Sequence, residues 1–245
     1  MQAFERMLGR LQCVVVDTVP EGRPAELAVV LCHGFGAPGT DLVGLGTELC
    51  RLAPGLVGRT RFVFPAAPLS LEEAGMPGAR AWWHLDIDAL NNAISQGTFR
   101  DQRLTTPDGL DEARSLLGEL VEAVESEWQL GSDSLVLGGF SQGAMIATDV
   151  ALSMTTPPAA LCILSGTLLC EDTWREQAHA RGSLRVFQSH GRTDPILPYA
   201  AAEWLRDLLA EAGLDVDFLD FPGVHTIPMQ AVERVATLLE DTLGS

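Results

Sequence analysis

The pentapeptide Gly139-Phe-Ser-Gln-Gly143 constrains this chain more than any other feature. It is a G-x-S-x-G pattern set between the apolar run Ser134-Leu-Val-Leu137 and an apolar helical segment that begins at Gln142. A serine at a sharp strand-to-helix turn lifts its hydroxyl above the sheet edge, and small residues two before and two after it let the backbones cross closely. The helix that follows directs its N-terminal amides and positive dipole end toward the serine. A turn of this kind needs a strand feeding a helix, so the flanking sequence must supply further strands for that one to pair with.

It does. Leu27-Ala-Val-Val-Leu-Cys32 is a continuous apolar run, the pattern of a strand buried on both faces. Strands are also expected at Leu11–Asp17, Thr60–Phe64, Ala159–Leu164, Leu184–Gln188 and Val216–Leu219. Helices are expected at 41–53, 110–128, 142–152, 199–211 and around 226–241, with a short one near 86–94. Strands separated by helices predict an α/β fold with a mostly parallel central sheet and helices on both faces. The 245 residues, 47% of them hydrophobic, suffice for one large domain spanning 1–245, and no linker or repeat divides them. Between Pro65 and Pro107 the periodicity fades around Trp82-Trp83, and this long excursion is expected to shape a substrate site, with Trp82 in its wall.

Composition excludes several classes. A formal charge of −17 repels phosphate backbones and anionic lipid headgroups, so nucleic acid is not an expected partner. No apolar run is long enough for a membrane span, and residues 1–20 do not read as a signal peptide. The five cysteines form no C-x-x-C pair, which suits reduced thiols and, by default, a cytoplasmic location. No set of histidine, cysteine and acidic residues has metal-ligand spacing. Oligomeric state is open.

A serine hydroxyl needs a base to act as a nucleophile at neutral pH, usually an imidazole held by a carboxylate. With Ser141 as nucleophile, the carboxylate and then the histidine should follow it on loops after later strands. His225, after the last expected strand, is the best-placed base. Asp194, directly after the strand at 184–188, is the preferred carboxylate over Asp217 and Asp220. His33 and His190 also follow strands directly and are expected to fix loop geometry, while His84 and His179 have no constellation around them. The oxyanion needs two converging N–H groups, one from Gln142 and one from the glycine-rich loop, where Phe35 is the choice. That loop lacks the lysine of a phosphate-binding P-loop and the spacing of a dinucleotide fingerprint.

Taken together, Leu31-Cys-His-Gly-Phe-Gly-Ala37 with Asp41, Ala81-Trp-Trp83, Gly139-Phe-Ser-Gln-Gly-Ala144, Leu164-Ser-Gly166, His190-Gly191 with Asp194-Pro195, and Gly223-Val-His-Thr-Ile227 resemble the phospholipase/carboxylesterase family of α/β-hydrolases. That family includes acyl-protein thioesterases. The resemblance implies Ser141, Asp194 and His225 as catalytic triad, Phe35 and Gln142 as oxyanion donors, and hydrolysis of acyl esters or thioesters without a cofactor. It also marks Leu69, Leu71 and Met76 in a segment that helps shape the acyl channel, with Leu168 and Leu169 adding to an apolar wall. A carboxylesterase for small or medium acyl esters is the leading expectation. A thioesterase or lysophospholipase for longer chains stands second, and a non-catalytic binding protein third.

Overall fold

The run Leu27–Cys32 shows why an unbroken apolar segment can be a strand here. In the computed structural model, which describes residues 1–96, 101–182 and 184–244, all six of its residues are buried. Leu27, Val29 and Leu31 join the hydrophobic cluster on one face of the sheet, and Ala28, Val30 and Cys32 join the cluster on the other. Leu161 and Ile163 divide from Ala160, Cys162 and Leu164 in the same way. A strand sandwiched between two apolar layers has no polar face to display.

In chain order the strands are β1 (Gln2–Leu8), β2 (Leu11–Asp17), β3 (Leu27–Cys32), β4 (Thr60–Pro65), β5 (Leu69–Ser70), β6 (Arg80–Ala81), β7 (Leu135–Phe140), β8 (Ala160–Leu164), β9 (Arg185–Gly191) and β10 (Asp215–Phe221). The helices are α1 (Val43–Leu52), α2 (Ile87–Gln96), α3 (Leu110–Trp128), α4 (Gln142–Ser153), α5 (Glu171–His179), α6 (Tyr199–Glu211) and α7 (Met229–Leu243). Eight strands form one sheet in the order β1-β2-β4-β3-β7-β8-β9-β10, and β5 and β6 form a small separate ladder. From β4 to β10 every pairing in the large sheet is parallel, and only the β1–β2 and β2–β4 pairings are antiparallel. Helices α3 to α6 cover one face, and α1 and α7 the other. This is the expected α/β-hydrolase architecture.

The topology places the site. From β3 the chain forms β4 on one side and later returns to form β7 on the other. Loops leaving the carboxyl ends of β3 and β7 therefore diverge, and ligands of open parallel sheets bind in the crevice at such a switch point.

Three pieces of structure are absent from the sequence expectations. Strand β1 lies at the sheet edge and is mostly exposed, so it carries no buried run. The β5–β6 ladder is only two residues deep. Helix α5 buries only Trp174 and Ala178, too narrow a stripe to stand out as amphipathic. Strand β7 also runs beyond the expected Leu137, because Gly138 and Gly139 are strand residues at crowded positions. A Cβ on Gly138 would lie 2.7 Å from the Cβ of Cys162.

A buried acid ties α4 to its neighbours. Asp149 is fully buried and accepts from Arg114 Nε at 2.5 Å and from the indole N–H of Trp174 at 2.8 Å, linking α3, α4 and α5. Asp149→Ala would leave a buried indole N–H without its acceptor. We expect a loss of about 2–3 kcal/mol in urea denaturation. Asp149→Asn, which can keep one acceptor, should lose less.

Candidate active site

At the end of β7 the chain enters a conformation that L-residues avoid. Ser141 has φ +56° and ψ −122°, and α4 starts at the next residue. Such backbone costs on the order of 1–3 kcal/mol and persists only where its surroundings enforce it. Enforcement comes from hydrogen bonds and from glycines. The Ser141 N–H donates to Leu164 O at 2.9 Å, and Ser141 O accepts from the N–H groups of Ala144 and Met145. A Cβ on Gly143 would fall 2.1 Å from Cys32 O, and one on Gly139 would fall 2.5 Å from the same atom. Glycine is required at both positions because the start of α4 crosses directly over the end of β3.

That crossing also brings in the loop after β3. A Cβ on Gly34 would lie 3.3 Å from the Cβ of Ser141. Among the described residues, the main-chain N–H groups of Phe35 and Gln142 donate to no protein acceptor. Two free amides beside one serine are the donors that an oxyanion site would need. His33, buried beneath the loop, donates from Nδ1 to Gly34 O at 2.8 Å and accepts at Nε2 from the Ala67 N–H at 3.0 Å. Because a main-chain N–H can only donate, Nε2 is unprotonated and the ring is neutral. His33 fixes loop geometry, as expected.

Asp194 and His225 meet across the carboxyl ends of β9 and β10. His225 Nδ1 donates to Asp194 Oδ2 at 2.6 Å, which leaves Nε2 as the nitrogen able to act as base. The other oxygen, Oδ1, accepts from the N–H groups of Ile196 and Leu197 at 2.8 and 2.9 Å. Burial works to raise the Asp194 pKa, but the hydrogen bond and charge of His225 and these two amides outweigh it. The carboxyl sits below its ordinary value and stays ionised. The two competing carboxylates are engaged elsewhere, Asp217 with Arg234 and Asp220 with Arg192. His190, fully buried, donates from Nε2 to Leu197 O at 2.8 Å and so braces the loop that carries Asp194.

Ser141, His225, Phe35 and Gln142 all line one cavity of about 350 Å³. The phenyl ring of Phe140 lies 4.7 Å from the imidazole of His225, centre to centre. No hydrogen bond joins the side chains of Ser141 and His225; a base and its nucleophile need come within hydrogen-bond reach only in the reacting complex. The walls are largely apolar, with Trp83, Leu85, Leu90, Met145, Leu169 and Leu197 among them. The excursion supplies a large part of these walls, although its residues 97–100 lie outside the described residues.

Of the four expected wall residues, Leu169 lines the cavity. Trp82, Leu168 and Met76 do not. Trp82 is buried one layer below, its indole N–H donating to His33 O at 2.9 Å. Trp82 and Trp83 stand at a bend just after β6, and Trp83 is the one that reaches the cavity. Leu168 packs into the core, and Met76 packs with Leu71, Ala79 and Ala81 beside the β5–β6 ladder. A further role was hidden in Gln142. Its side chain accepts from the Trp82 N–H and donates to Trp83 O, both at 2.9 Å, fastening the aromatic segment to the residue after the nucleophile. The adjacency of a buried amide to the elbow was the only sequence signal for it.

A strand-end serine in a strained turn, an imidazole on a buried carboxylate and two free amides define the class of α/β serine hydrolases. A family model described as Phospholipase/Carboxylesterase matches residues 14–243, and the chain belongs to that family. It is similar to the acyl-protein thioesterase 1 of Mycosarcoma maydis, with 28% identity over 95% of this chain and 98% of that protein. The acyl-protein thioesterase 1 of Neurospora crassa is 25% identical over 92% of this chain and 90% of its own. Among solved structures, that of the esterase PE8 superposes with a TM-score of 0.77 at 26% identity, covering 93% of this chain and 97% of the other. Among the described residues, no group of three or more His, Cys, Asp and Glu is placed to hold a metal ion, and no helix is long and apolar enough to cross a membrane.

The buried imidazoles give the site a pH signature. Burial holds both His33 and His190 below the ordinary imidazole value of 6.5. The unfolded chain then takes up protons that the native state refuses. Stability is present in full above 6.5 and is lost as pH falls through the folded values. The unfolding free energy from urea denaturation should be level between about pH 7 and 8 and fall below about 6.5, by up to about 1.4 kcal/mol per pH unit for each histidine. His190→Gln should flatten that slope. A wild-type midpoint that stays constant down to about pH 5 would contradict the neutral assignment.

Proposed function

We propose that this chain is a serine carboxylesterase for small or medium acyl esters, working through an acyl-enzyme on Ser141. The observation that carries the reading is the convergence of Ser141, His225 on Asp194, and the free amides of Phe35 and Gln142 on one mostly apolar cavity. His225 Nε2 takes the Ser141 proton as the hydroxyl oxygen attacks the acyl carbonyl. The Phe35 and Gln142 amides receive the charge on the tetrahedral oxygen. His225 then protonates the leaving alcohol, and the acyl group remains on Ser141. In the second half the same nitrogen deprotonates water, which attacks the acyl-enzyme, and then returns that proton to the departing Ser141 oxygen as the acid is released. Asp194 stays ionised and holds His225 in one tautomer.

The same steps cleave a thioester, and the near full-length similarity to proteins named acyl-protein thioesterase 1 favours that as the second reading. The cavity volume of about 350 Å³ lies at the small end of the range for ligand sites, which supports shorter acyl groups. We treat residues 1–245 as one domain whose 65–107 excursion walls the site. A cytoplasmic location accords with five free, buried cysteines.

The test is a rate profile on nitrophenyl esters and matched thioesters of increasing acyl length, with Ser141→Ala alongside. We expect a maximum at short to medium esters and a loss of at least about 10³-fold in Ser141→Ala. A maximum at long chains or a clear thioester preference would transfer the assignment to the second reading. A Ser141→Ala variant that keeps more than about a tenth of the rate would end both.

A further inference from the structure

The segment Leu164-Ser-Gly166 contributes nothing to the cavity lining, yet it touches all three pieces of backbone that carry the triad. Leu164 O accepts the N–H of Ser141 at 2.9 Å. The Ser165 N–H donates to Ser189 O at 2.9 Å, on the strand that leads to Asp194. The hydroxyl of Ser165 donates to Thr226 O at 3.2 Å, the carbonyl one residue after His225. Two adjacent residues at the end of β8 thus hold the nucleophile's turn, the carboxylate's strand and the base's loop.

The base's loop needs the hold. Val224 is 54% exposed, so the loop has one open side. Its entry is anchored at Gly223, whose carbonyl accepts from both the N–H and the hydroxyl of Thr193. Beyond that point, among the described residues, 224–227 make two hydrogen bonds to the rest of the protein, His225 to Asp194 and Thr226 O from Ser165. One bond therefore orients the imidazole and the other fixes the backbone that carries it. Ser165 is also strained, with φ +52° and no solvent exposure. Glycine would adopt that conformation at less cost, so a serine there is worth keeping only for its hydroxyl.

We propose that Ser165 is a positioning residue, which sets the distance between His225 and Ser141 through the Thr226 carbonyl. The inference rests on the triad reading above. Without the hydroxyl, the loop drifts and His225 spends less time within reach of the serine proton, while the cavity walls stay in place. A displacement of about 1 Å in a reacting group can cost on the order of 100-fold in rate.

Ser165→Ala and Ser165→Gly are compared with wild type on the ester that the rate profile finds best. We expect kcat to fall by about 10-fold or more in both, with KM within about twofold and a parallel fall in the rate at which a fluorophosphonate labels Ser141. Ser165→Gly relieves the backbone strain, so it reports the hydroxyl alone even where Ser165→Ala folds poorly. In a His225→Ala background, Ser165→Gly should cause no further loss, because a residue that acts through His225 has nothing left to position. Unchanged kcat in Ser165→Gly would overturn the proposal, and so would a loss that persists in full in the His225→Ala background. Failure of the triad itself would show separately, as activity retained in Ser141→Ala.

Discussion

The site depends on a close approach of two backbones, where the start of α4 passes over the end of β3 with glycine at positions 139 and 143. A side chain at either glycine would occupy the space of the Cys32 carbonyl. Without that approach, Ser141 could not stand at the mouth of the β3–β7 crevice, and the Phe35 amide could not share a site with that of Gln142. Ser141 and the two free amides are therefore placed by one packing event. Their geometry is set by the absence of two Cβ atoms.

Around this contact the protein fixes its loops with neutral, buried hydrogen-bonding side chains. His33 spans Gly34 and Ala67, Gln142 spans Trp82 and Trp83, and His190 reaches Leu197. Neutral groups suit the task. A charged brace beside the triad would have been costly to bury and would have altered the electrostatics of His225. The charge of Asp194 is matched by three donors, the His225 imidazole and the amides of Ile196 and Leu197. Each brace also ties a loop to a different strand end, so the apolar core that holds the sheet together holds the site as well.

Much of this was legible in the sequence because its physical cause is local. A run such as Leu27–Cys32 can satisfy its side chains only between two apolar layers, and G-x-S-x-G between a strand and a helix admits few conformations. The chain order of Asp194 and His225 followed from the strands they terminate. What was not legible depended on direction and distance. Trp82 and Trp83 are equivalent as composition, but one lies beneath the loop after β3 and the other in the cavity wall. Leu168 and Leu169 divide in the same manner. Both pairs lie in irregular chain between regular elements, where no periodicity marks which of two neighbours turns toward the cavity. The cross-chain partners of Gln142 and Ser165 were hidden for a different reason, since a polar residue in sequence does not announce the main-chain atom it will meet 60 residues away.

Among the described residues, four other than glycine have positive φ, and two of them, Ser141 and Ser165, sit just beyond neighbouring strands of the sheet. Both β7 and β8 are paired on each side, so their ends cannot relax by peeling away from a neighbour. An edge strand such as β1 could relieve the same strain by fraying. Holding two strained turns side by side therefore requires central strands, and central strands require helices on both faces to bury them. The local hydrogen bonds make this concrete. The strained Ser141 is held by the carbonyl of Leu164, and the strained Ser165 beside it reaches back to the loop of His225. Layer architecture, backbone strain and the placement of Ser141 beside the His225 loop are in this way successive consequences of burying a parallel strand on both sides.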